Sequence, residues 1–286
     1  MAPKLRFVTD NRVVKTDAGA RSIQVICAGL PRCATSSMQA ALEGPVLGYE
    51  PCMHMAHVAP HADRLQLAIE AMQELDPKKR QKMIRPLFTG YAATADFPGI
   101  LFADDLMDMY PDAVVILNLR DDPAAWVRSF DETLSFFYTN TYRASTFLWS
   151  ADRAHYNVHH MARQVFATRL GFDAPLPSVE FYHAYNDWVR REATKRGRVV
   201  LEWQVVDGYE PICRFLGKDV PKDAEGKVLE FPKVNDAKTV KFVQKFLLFR
   251  GLASWILVGA AIWGAWTYGG KVLPSFVKGG LDLASR

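Results

Sequence analysis

Residues 22–43, "SIQVICAGLPRCATSSMQAALE", run from an unbroken apolar segment through a tight turn into a helix-period segment. Short apolar runs rich in β-branched residues read as strands buried on both faces, and parallel pairing of such strands requires a crossover helix. The unit recurs at "AVVILNL" (113–119), followed by "RDDPAAWVRSFDETLSFF", where Pro123 suits a first helical turn. Further strands are expected at 92–96 ("AATAD") and 198–203 ("RVVLEW"). Helices are expected at 62–76, where Leu65, Ala68, Ile69, Met72 and Leu75 share a face, and at 100–110, stopped by Pro111. Three more fall at about 152–170, 178–196 and 209–217, the last closed by Gly217. The basic run "KKRQK" reads as a solvated face, and the Pro-, Gly- and charge-rich segment 217–236 as a linker. Strands separated by helices predict an α/β fold, a parallel central sheet flanked by helices.

One stretch departs from this pattern. Between Arg250 and Lys271, "GLASWILVGAAIWGAWTYGG" (251–270) carries no charge. Twenty residues of helix cross a hydrocarbon core of ~30 Å, and Trp266 and Tyr268 near the end suit an interfacial belt. Lys238, Lys241, Lys245 and Arg250 precede the span, against Lys271, Lys278 and Arg286 after it, a bias that predicts a cytosolic body. The N-terminus lacks an apolar signal core, so a C-terminal single-pass anchor is expected. The expected organisation is an extension (1–21), an α/β domain (22–237), a C-terminal helix (238–270) and a short tail (271–286). The formal charge of +4 is too small and dispersed for nucleic acid, and four cysteines without CxxC spacing fit a reducing compartment.

The turn after the first strand carries chemistry. A strand that leads through a turn into a helix N-terminus offers backbone N–H groups and the positive end of the helix dipole to an anion. Arg32 adds a fixed cation, and Thr35, Ser36 and Ser37 add hydroxyls. The nucleotide-triphosphatase pattern is not met, since Ala34 and Thr35 stand where its final glycine and lysine belong. Arg120, at the end of the strand 113–119, and Ser129, on the next helix, are candidates for a second phosphate. The plainer alternatives are a capped βα turn and an Arg120 paired with Asp121 or Asp122.

On "GLPRCATSSM" and "VILNLRDDPAAWVRS", the chain resembles the sulfotransferase superfamily, and its fungal or algal branch through "PCMHM" (51–55), "LEWQVVDGYEPICRFLGKDVP" (201–221) and "FPKVND" (231–236). The resemblance implies a P-loop-like fold that binds PAPS (3′-phosphoadenosine 5′-phosphosulfate) and needs no metal. It implies that Pro31, Arg32, Cys33, Ala34, Thr35 and Ser36 grip the 5′-phosphosulfate, with Arg32 replacing the usual lysine. It carries Arg120 and Ser129 onto the 3′-phosphate. Two departures stand out: Ala34 where the family usually has glycine, and an Arg120–Ser129 interval one residue longer than usual. Both favour the alternative of a catalytically silent, membrane-tethered binding or scaffold protein.

Sulfuryl transfer needs cations at the bridging oxygen and a base for the acceptor hydroxyl or amine. Arg32 is the expected clamp; His54 in "PCMHM" and Asp96 at the end of "AATAD" are the two candidate bases. A metal site at His54, His57 and His61 is disfavoured by Pro60, and His155 and His159 read as packing residues. The acceptor is expected to be a small hydrophobic molecule approaching along the membrane, with the aromatic stretch "SFFYTNTY" (135–142) as a candidate wall.

Overall fold

The computed structural model describes residues 22–234 and 236–269. The expected N-terminal extension (1–21), the tail (271–286) and Gly270 at the end of the expected span lie outside them. Five strands, β1 (Val25–Cys27), β2 (Cys52–Met53), β3 (Ala93–Ala95), β4 (Val114–Leu119) and β5 (Val200–Gln204), pair in parallel in the order β2-β3-β1-β4-β5. The helices α1 (Thr35–Glu43), α2 (Ala62–Gln73), α3 (Pro77–Phe88), α4 (Ala103–Met109) and α5 (Pro123–Thr133) precede α6 (Asn140–Ser145) and α7 (Ser150–Thr168). Then come α8 (Val179–Lys195), α9 (Glu210–Leu216) and α10 (Asp236–Gly264). The expected α/β architecture is what the chain adopts.

Burial on both faces explains the unbroken apolar strands. Val25, Cys27 and Ile116 point into one core with Met38 and Leu42 of α1 and Ile212 of α9. Ile26, Val115 and Leu117 point into the other, with Leu65, Leu106, Trp126, Val158 and Tyr185 from five helices. From the central β1 the chain moves out to β2 and β3 on one side, then to β4 and β5 on the other. The loops after β1 and β4 therefore diverge, and they open a crevice at the carboxyl ends of the strands.

Four local expectations change. The helix expected at 62–76 ends at Gln73, and Leu75 is 74% exposed rather than on the buried face. Pro77 forces Asp76 into an extended conformation, and the Asp76 carboxylate then accepts from the N–H groups of Lys78 and Lys79 to start α3. "KKRQK" thus lies on a helix, and one member is not solvated: Arg80, 4% exposed, forks onto Asp105 at 2.6 and 3.0 Å. The helix expected at 100–110 is a 3₁₀ turn, Gly99–Phe102, followed by α4. The segment read as a linker is anchored by a bridge between Lys222 and Val228 and by Phe231, whose ring lies 4.7 Å from that of Trp203.

The C-terminal helix has two halves. Val240, Val243 and Leu247 pack on Phe137 and Tyr142, and Gln244 Nε2 donates to the Thr133 carbonyl at 2.6 Å. At Gly251 the helix passes so close to α6 that a methyl there would lie 2.4 Å from the Ser145 side chain. Beyond this point Ile256, Leu257, Ile262, Trp263 and Trp266 are exposed. Residues Ala237–Thr267 are long and apolar enough to cross a membrane, with mean hydropathy 1.8 and only 17% of the apolar window buried.

Candidate active site

The turn after β1 is built by its neighbours. At Gly29 the chain runs against β4, where an added methyl would sit 2.3 Å from the Asn118 carbonyl oxygen. The carbonyls of residues 31–33 are each bound from α5, β4 or the residue that follows β4. Pro31 accepts from Trp126 Nε1 at 2.9 Å, Arg32 from Arg120 Nη1 at 3.2 Å, and Cys33 from Asn118 Nδ2 at 3.0 Å. Arg120 is held in turn by Tyr182, whose hydroxyl accepts from the Arg120 N–H at 2.8 Å and donates to its carbonyl at 2.9 Å. The turn is closed on itself by the Cys33 N–H, which donates to the Leu30 carbonyl at 3.1 Å.

Two residues of the turn take left-handed backbone, Arg32 at φ 73° and Ala34 at φ 58°. Ala34 is also the N-cap of α1 and, having no polar side chain, makes no side-chain cap. Burial pushes the Cys33 thiol up to about 12; the residue serves the loop through its backbone and not as a nucleophile.

Two cavities meet at this turn. A groove of about 390 Å³ is lined by Arg32, Cys33, Ala34, Thr35 and Ser36, by Arg120, and by Gln204, Lys233 and Val234 from the far side. A second cavity of about 260 Å³ also touches Pro31, Arg32, Thr35 and Ser36, then extends past His54 and Asp96 to Phe137, Tyr142 and α10. Arg32, Thr35 and Ser36 border both. The residues present suit an anionic ligand: Arg32, Arg120, Lys233 and a helix start line the groove against the single carboxylate of Asp121, with Leu119, Val205 and Val206 as apolar wall.

The base candidates come together in the second cavity. Asp96 follows β3 directly in left-handed backbone (φ 71°), and its Oδ2 lies 3.3 Å from His54 Nε2. Ser36 Oγ is 3.4 Å from the same nitrogen. His54 Nδ1 accepts from the Ala56 N–H at 3.4 Å, so the neutral ring carries its proton on Nε2 and donates toward Asp96. Because Ser36 and Asp96 share one nitrogen, the group is not a hydrolase relay, where the two ring nitrogens divide those roles.

Ser129 lies beside the turn, and its Oγ accepts from Arg32 Nε at 3.1 Å. Arg120 and Ser129 thus both converge on Arg32. His57 Nδ1 accepts from the His54 N–H at 3.2 Å, while His155 and His159 touch at 3.3 Å on the cavity wall. Burial pushes His155 down to about 4 and His159 down as well, leaving both rings neutral at neutral pH. Among the described residues no three His, Cys, Asp or Glu side chains gather as a metal site.

Sequence reasoning missed Trp126, Asn118 and Tyr182, which position the turn. Their only local signal was a buried-type aromatic or amide in an apolar segment. Phe137 and Tyr142 of the flagged aromatic stretch do line a cavity.

The parallel sheet thus carries, at its β1 turn and β4 end, a groove lined by three cations that abuts a second cavity with a carboxylate and an imidazole. The sulfotransferase domain family matches residues 24–240, and the chain belongs to that family. Among curated proteins it is similar to Ava biosynthesis cluster protein M of Aspergillus versicolor, 27% identical over 274 residues, covering 88% of this chain and 99% of that protein.

Proposed function

We propose that the protein is a membrane-anchored sulfotransferase that moves a sulfuryl group from PAPS to a hydroxyl or amine of a small hydrophobic acceptor. The observation that carries this is the sharing of Arg32, Thr35 and Ser36 by two cavities, one reaching Arg120 and Lys233, the other reaching His54, Asp96 and the side chains of Phe137, Val243 and Leu247. In this reading PAPS lies in the groove, held by Arg32, Thr35, Ser36 and Arg120, which line it together, while Ser129 acts through its bond to Arg32 Nε. PAPS supplies the sulfuryl group: its S–O bond to the phosphate breaks as one to the acceptor forms, and PAP, the desulfated product, leaves with the electron pair. Arg32 sits where charge collects at the bridging oxygen. Asp96 takes the acceptor proton, and His54 holds that carboxylate in place through Nε2–H. The name of the fungal relative supports a biosynthetic small molecule as acceptor. The apolar second half of α10 supports a bilayer partner, and the flanking charges a cytosolic body.

Thermal unfolding with PAP tests the donor site. At a hundred times its dissociation constant, PAP is expected to add about 2.7 kcal/mol, and Arg32→Ala or Arg120→Ala to abolish the gain. Asp96→Asn is expected to keep PAP binding and to lower kcat for sulfate transfer from PAPS by ~10²–10⁴. No stabilisation at millimolar PAP refutes the enzyme. The silent-relative reading is favoured by one observation, the Ala34 methyl lining the groove, and predicts that result.

A further inference from the structure

The cavity on the acceptor side is walled along one flank by the helix that carries the apolar span. Val240, Val243, Leu247 and Arg250 all line it. At 1.5 Å per residue they mark out about 15 Å along one helical face. The start of that helix is tied to the donor end. Val234 donates its N–H to Ser37 Oγ at 3.1 Å, and Lys233 and Val234 line the cationic groove, immediately before α10 begins. Its other end enters the exposed apolar run directly after Arg250.

The region around Arg250 has the chemistry of a membrane–water boundary. The guanidinium lies 4.1 Å over the Trp149 ring and pairs with Asp152, which also lines the cavity. Trp149 Nε1 donates to Ser254 Oγ at 3.1 Å and Trp255 Nε1 to the Ala144 carbonyl at 2.9 Å. Tryptophans and a cation at the last charged position before an apolar span are the usual anchors at head-group depth. Arg250 and Asp152 neutralise each other, so this end presents no unpaired charge to a polar acceptor, while Phe137, Val243 and Leu247 present apolar surface.

We propose that α10 is a wall of the acceptor site as well as an anchor, and that the acceptor is a bilayer-partitioning molecule entering beside Arg250–Asp152 and lying along Val240, Val243 and Leu247. Its single hydroxyl or amine then faces Asp96. The proposal rests on the sulfotransfer reading for what happens at that end, but the lipophilic site itself is separable from it.

The test uses the full chain in lipid nanodiscs and a photoreactive 4-alkylphenol carrying a diazirine in its tail, competed by unlabelled 4-nonylphenol. The expected result is competable labelling of the 240–250 peptide, cut at least tenfold by Val243→Trp, with PAP stabilisation unchanged. Leu257→Trp, on the exposed face, leaves both as they are. Labelling confined to 252–267, or indifferent to Val243→Trp, overturns the proposal. If Val243→Trp loses PAP stabilisation, the milder Val243→Ala decides. A threefold or greater gain for longer-tailed competitors supports the wall, and no change overturns it. Failure of PAP to stabilise the wild type while labelling persists on 240–250 refutes sulfotransfer and leaves the lipophilic site standing.

Discussion

Ala34 holds a backbone conformation that costs an L-residue about 1–2 kcal/mol and glycine almost nothing. The turn adopts it because three carbonyls on the preceding residues are already tied to Trp126, Arg120 and Asn118. The methyl therefore strains the loop without refolding it. Ala34→Gly relieves that strain but gives back ~0.4–1 kcal/mol through a freer unfolded chain. The net expectation is a gain of roughly 0.5–1 kcal/mol in urea unfolding, with PAP binding equal or tighter. A loss of stability would mean that the methyl packs productively in the groove. Asp96, also left-handed, shows the opposite choice: its short polar side chain tolerates that region and is aimed at His54 from the strand end.

Among the elements, α3 was hidden by its own composition. Its basic residues suggest a solvated strip, yet Arg80 turns inward to a bidentate pair with Asp105 and also donates to the Glu74 and Leu75 carbonyls. Arg169 reaches the Asp105 carboxylate as well, and that of Asp104 beside it. Removing one partner of such a buried pair leaves an uncompensated charge, so Arg80→Ala is expected to cost ~3–5 kcal/mol in equilibrium unfolding. Arg80→Met with Asp105→Leu should recover only part of this, because Arg169 then loses one of its two acceptors. No window of sequence pairs position 80 with position 105; the packing of α3 on α4 does.

For the whole molecule, the buried histidine pair links stability to pH. The unfolded chain binds a proton at His155 below its ordinary value near 6.5, whereas the folded ring stays neutral down to about 4. Between those values the unfolded state holds more protons, so stability falls as pH drops through that window. The loss is on the order of 3 kcal/mol by pH 4. His159, lowered by the same burial, acts in the same direction. Urea midpoints are expected to fall from pH 7 to pH 5, and His155→Phe, which keeps the ring packed beside Phe137, is expected to flatten that slope. A profile unaltered by His155→Phe would assign the dependence to other groups.

Local sequence determined the parallel α/β architecture, because apolar runs that end in helix starts have few other ways to bury both faces. It likewise determined the turn between β1 and α1 and the apolar C-terminal run, since backbone conformation and hydropathy are written within a few residues. Tertiary structure decided what those pieces do together. It brought His54 and Asp96 within 3.3 Å from loops 42 positions apart, tied the turn's carbonyls from β4 and α5, and laid the apolar C-terminal helix along the second cavity. Each of those depends on contacts between distant segments. Such contacts leave no period or spacing in the chain, and they form only when two faces of one sheet and the helices over them close on a common core.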